Sequence, residues 1–144
     1  MSTRRKTVLL IIIIAIACAA ATGFYFYNKP PVNIKTAAAP TVESQALYEA
    51  FSKDAVMAPK EYAGHVLLVK GVVADVSQNS QGNTVVLLQA GMNDGHINCT
   101  FEKNISGLQA GAPISIKGFC SGMGETDTML GIPADVYLER CIIP

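Results

Sequence analysis

Hydrophobic and polar positions divide the chain into two parts with different rhythms. Val8 to Tyr27 carries no charge and shows no polar face. Its length of about 20 residues is what a helix needs to cross roughly 30 Å of hydrocarbon. Further on, Val42, Ala46, Leu47, Ala50 and Phe51 recur at helical spacing, with Glu43 and Glu49 on other faces. This predicts a helix from Val42 to Phe51 with Thr41 or Ser44 as its N-cap. The rhythm then shortens towards a period of two. Strands are expected at His65–Val76, Thr84–Ala90, His96–Glu102, Pro113–Cys120 and Asp135–Ile142. The third alternates cleanly, with Ile97, Cys99 and Phe101 on one face and His96, Asn98, Thr100 and Glu102 on the other. Turns are expected at Ser77–Asn83 and Gly91–Gly95, with a longer loop at Ser121–Ala134. Gly71, near the middle of the first strand, fits a bulge or sharp coil in a strand shared by both halves of a barrel. Five short strands in this span suit a small closed barrel, which leaves no open edges.

The apolar run is bracketed. Arg4-Arg5-Lys6 precedes it, Phe24-Tyr25-Phe26-Tyr27 forms its far end, and Lys29-Pro30-Pro31 stops it. Cations on one side place the N-terminus in the cytoplasm, and aromatic rings favour the headgroup region. The leading expectation is an uncleaved signal anchor in a bacterial inner membrane, with the C-terminal domain in the periplasm. Two alternatives remain open: a cleaved signal peptide, and a lipoprotein in which Ala15-Ile16-Ala17-Cys18 serves as a degenerate lipobox lipidated at Cys18. The organisation read from this pattern is a basic N-terminus at 1–7, a membrane span at 8–27, a linker at 28–41 and a folded domain at 42–144. Pro30-Pro31 and Ala37-Ala38-Ala39-Pro40 give the linker the composition of an extended spacer.

Charge narrows the partners. The whole chain is neutral, with 11 basic and 11 acidic residues. From Lys35 onward there are 7 basic residues against 11 acidic ones, a balance of −4. Phosphate-binding domains usually present a basic stripe, so this balance argues against nucleic acid.

A resemblance adds to this reading. Ala46-Leu47, Phe51, Ala55 and Tyr62-Ala63-Gly64-His65-Val66-Leu67 carry its first half, with Val69-Lys70-Gly71-Val72-Val73 and Val85–Leu88. Cys99-Thr100-Phe101, Gly111, Ile116-Lys117-Gly118-Phe119-Cys120-Ser121-Gly122 and Asp135–Cys141 carry the second. Over Ser44–Ile143 the chain resembles the tRNA_anti-like proteins, exported bacterial OB-fold domains tethered by a membrane helix or a lipid. The Gly-x-Cys-x-Gly element followed by a strand ending in cysteine is the most specific feature. The loop from Met123 to Ala134 is longer than the family pattern. The resemblance implies a mainly β, five-stranded OB-fold, a small Greek-key barrel, preceded by an α-helix. It implies no function by itself.

Candidate chemistry is sparse. Cys99, Cys120 and Cys141 lie in the exported part, where disulfides persist. A Cys120–Cys141 bridge is expected, with Cys99 as a buried apolar residue; closing a loop of about 20 residues would stabilise the fold by roughly 3 kcal/mol. Three reduced core cysteines are the alternative. No metal or cofactor is expected, because His65 and His96 are the only histidines and lack ligand spacing. Neither histidine has an evident nucleophile or third partner, so no catalytic residue is assigned and an enzyme is not expected. The glycosylation-like triplets at Asn98 and Asn104 read as chance matches. Ligand-loop candidates are Asn79, Gln81 and Asn83 in the first turn and Glu125 and Asp127 in the long loop. The function expected is a protein- or small-ligand-binding module. Alternatives are nucleic-acid or oligosaccharide binding through the barrel face, or a structural subunit of an envelope complex.

Overall fold

A computed structural model describes residues 3–91 and 95–144. The chain forms two compact units, Met1–Val32 and Asn33–Pro144. The first is the helix α1, Thr3–Tyr27, none of whose residues is buried in the protein. Its length and hydropathy fit a membrane anchor or a signal sequence.

The second unit begins earlier than the expected end of the linker. Ile34 is only 3 % exposed, and Lys117 Nζ donates to the Lys35 carbonyl at 3.2 Å. Residues 33–41 therefore belong to the fold, and the spacer shrinks to 28–32. Next come β1 (Thr41–Glu43), α2 (Ser44–Lys53), α3 (Met57–Tyr62), β2 (Val66–Gln78), β3 (Thr84–Gln89), β4 (His96–Phe101), β5 (Pro113–Met123) and β6 (Val136–Ile142). The centre of the expected turn at Gly91–Gly95, residues 92–94, lies outside the described residues.

The strand order is β1-β2-β3-β4-β6-β5, and β5 pairs back onto β2. Five strands thus close a mainly β barrel of the OB-fold type, and β1 adds in parallel to β2 as a sixth. All the ladders of the barrel are antiparallel except β4–β6. Closure requires β2 to serve two partners, and its 13 residues do so: Val66–Val72 face β5, and Val73–Gln78 face β3.

Inward residues alternate cleanly along β3 and β4, as period-two patterning demands. Val69, Val73, Val86, Leu88, Ile97, Phe101, Ile116, Val136 and Leu138 fill the interior, and α2 adds Leu47 and Phe51. The helix begins at Ser44 with Glu43 as N-cap, and no side chain caps it. The Ser44 hydroxyl instead donates to the Gln89 carbonyl at 2.7 Å. This explains Gly71. The β2–β5 register runs through it without a break, and the irregularity lies at Val73/Asp75. A Cβ at Gly71 would sit 2.6 Å from Ser44 Oγ, so the glycine admits the start of α2 rather than forming a bulge.

A bulge does occur between β4 and β6. Cys99 pairs with Leu138, yet Phe101 pairs with Cys141, so β6 carries an extra residue. Arg140 has a φ of 53°, the left-handed region that non-glycine residues seldom occupy. Strict alternation from Leu138 would turn Arg140 inward. The extra residue keeps Arg140 outside and returns Cys141 to the core.

Candidate functional site

β3, β4 and β6 are consecutive neighbours in the sheet, and their outward residues form one wall of the barrel. Register aligns Asp75, Leu87, Asn98 and Tyr137 in one row across four strands. Ser77, Val85 and Thr100 form the next row, and Gln89 with His96 flanks the other side. Tyr137 is 41 % exposed, the one aromatic ring on these three outer strand faces. Its ring covers Gly124, where a Cβ would come within 2.9 Å of Tyr137 Cε2.

Cations are almost absent from the wall, whose exposed charges include the carboxylates of Asp75 and Glu139. The three strands contain one Lys or Arg between them, Arg140, and its Nε donates to Glu102 Oε1 at 2.8 Å. At the opposite end the His96 backbone N–H donates to Asp135 Oδ1 at 3.1 Å, with His96 Nδ1 3.8 Å from the same oxygen. Amides, a hydroxyl, aliphatic groups and one phenol suit an uncharged partner. A phosphate chain needs cations along its track.

The loop candidates do not converge. Asn79, Gln81 and Asn83 lie beside Thr84, level with the C-terminal end of β4. Glu125 and Asp127 belong to the loop that precedes Asp135, at the other end of β4. Asn79 Oδ1 accepts from the backbone N–H groups of Gln81 and Asn83, both at 3.0 Å. Asp127 Oδ1 likewise accepts from Met129 and Leu130 at 3.0 and 3.1 Å. Both side chains are spent on shaping their own turns. Sequence reasoning missed what the long loop displays instead: Met129 is 95 % exposed, with Leu130 and Ile132 beside it.

The cysteines correct another expectation. All four are free thiols, Cys18 exposed on α1 and the other three buried. Cys120 pairs with Leu138 across β5–β6, three residues before Cys141, so the expected bridge is out of register. Gly118 lies under the Cys141 sulfur, 2.7 Å from where its Cβ would stand. The thiol that interacts with Cys141 is Cys99, which the bulge brings alongside. Burial, then the hydrogen bond and charge interaction with Cys141, hold the Cys99 thiol well above its ordinary range. Burial also raises Cys120, against a hydrogen bond from the Gly122 backbone. These are core groups, not nucleophiles. Among the described residues no cluster of three His, Cys, Asp or Glu side chains is arranged to hold a metal ion.

Comparison with known proteins agrees with this architecture. The tRNA_anti-like family model matches residues 1–131, so the match includes α1 and stops short of β6. A crystal structure of a Klebsiella pneumoniae protein provisionally named a nucleic acid-binding lipoprotein is similar over 80 % of this chain and 99 % of its own. The TM-score is 0.56 and the identity 18 %. No curated protein matches the chain.

Proposed function

Because the chain belongs to the tRNA_anti-like family of OB-fold proteins, we propose that it is a membrane-tethered, non-enzymatic binding module. In this reading α1 remains in the inner membrane and the barrel faces the periplasm. Arg4-Arg5-Lys6 before the apolar run supports that orientation. The β3–β4–β6 wall takes an uncharged segment of a protein or a small neutral ligand. One observation carries the proposal: the Asp75–Leu87–Asn98–Tyr137 row combines an aromatic ring, an aliphatic group, an amide and a single carboxylate, with no Lys or Arg in the row.

Nucleic acid is the second reading, favoured by the name of the Klebsiella structure. Against it stand the cation-poor wall and the acidic balance of residues 35–144. Titration of the full chain with single-stranded oligonucleotides at low and high salt separates the two. Weak binding with no salt dependence is expected, whereas tight, salt-sensitive binding that Tyr137→Ala abolishes would reverse the ranking. Orientation has its own test, protease access to a C-terminal tag on intact and permeabilised cells. Cleavage only from the periplasmic side, with residues 1–27 retained, is the expected result.

A further inference from the structure

Three lysines of the barrel unit gather away from the wall, where β4 and β6 end. A cleft of about 790 Å³ opens there between the strap at Lys35 and the residues following β4. Lys35, Lys103 and Lys117 line it, together with Ile105, Ile142 and Ile143. Three of the 7 basic residues from Lys35 onward thus share one hollow of an acidic domain. Glu102, the Asp or Glu side chain in the lining, is held by Arg140 at 2.8 Å. The hydrogen bond from Lys117 to the Lys35 carbonyl, with buried Ile34 beside it, fixes the strap against the barrel.

We propose that this cleft binds the headgroup of an anionic phospholipid from the bilayer that holds α1. An apolar floor rimmed by cations suits an amphiphilic anion: lysines meet the phosphate, and the isoleucines meet glycerol and the first acyl carbons. Free phosphate would use the lysines and leave the isoleucines without a role. A nucleic acid would need stacking rings, and the only ring in the lining, Phe101, is buried. Tyr27 and Lys35 are eight residues apart, a connection that spans no more than about 28 Å even when fully extended. The proposal rests on the anchor reading.

The test is hydrogen exchange of the full chain in nanodiscs. Slower exchange at residues 103–105 and 142–143 is expected with phosphatidylglycerol discs than with phosphatidylcholine discs. Near an anionic surface each lysine contributes about fivefold in occupancy, so K35Q/K103Q/K117Q should lose roughly a hundredfold and with it the protection. K35R/K103R/K117R should keep it, and so should K53Q/K60Q, which alters lysines outside the cleft. Equal exchange in both discs would overturn the proposal while leaving the anchor intact. Failure to enter the discs would remove both. Protection in phosphatidylcholine discs on adding inorganic phosphate or a single-stranded oligonucleotide, dependent on the same lysines, would reassign the cleft and overturn the lipid reading.

Discussion

The two sides of strand β4 differ more than any other pair of surfaces in the protein. Ile97, Cys99 and Phe101 face inward and are essentially inaccessible, whereas His96, Asn98 and Thr100 face outward and stay partly open. The inner side is bound by volume, because every neighbour already touches its own. The outer side is bound by the need to remain soluble and, in the proposed function, to meet a partner. In that reading stability and recognition are written on alternate residues of one strand, and each can be changed without the other.

Truncation on the inner side should produce the largest effect. Phe101→Ala should cost about 3–5 kcal/mol in urea unfolding, and Leu47→Ala, beneath α2, about 2–5 kcal/mol. A smaller loss followed by intact binding would mean that the interior collapses around the cavity. Gly71→Ala ranks next, at about 1–3 kcal/mol, because the new methyl meets Ser44. If close approach is the cause, the double variant with Ser44→Gly should cost less than the sum of the single changes.

The inner side should also respond to alkali. Cys99 and Cys120 have raised thiol pKa values in the folded state. Their protonated forms are favoured there, so stability should hold below the ordinary thiol pKa of about 8.5 and fall as pH rises above it. Denaturation midpoints under reductant should show that decline, and Cys99→Val should flatten it. Smallest of all, Asn98→Ala and Glu102→Ala on the exposed side should change stability by no more than about 0.5–1 kcal/mol. If either approached the Phe101 figure, the division between the two faces would be wrong.

Much of the inner side was legible in advance. Period-two alternation identified Ile97, Cys99 and Phe101, and all five barrel strands were placed within a few residues of their ends. Elements without a period escaped. β1 has only three residues, of which Val42 alone packs on the core, too short a run to show a period. Ile34 and Val32 are isolated aliphatic residues among proline, alanine and polar neighbours, which no pattern distinguishes from a spacer. Helix α3 was hidden by Pro59, which looks like a breaker yet occupies the first turn, where a missing N–H costs nothing. The cysteine expectation had no strand register behind it, and the bulge at Arg140 decides which thiol lies beside Cys141, so that neighbour could not be found by counting. The outer row needed the register of four strands, and that information lies between segments rather than within any of them.

The position of β6 has a consequence for the order in which the protein can mature. This strand comes after the other five in chain order, yet it lies between β4 and β5 rather than at a margin. Until Ile142 is available, β4 and β5 each present an unpaired edge, and the inward side of the barrel has a slot where Val136, Leu138 and Cys141 belong. A chain emerging N-terminus first therefore carries its unfinished edges throughout elongation. The barrel can close only once β6 is in place between its two neighbours.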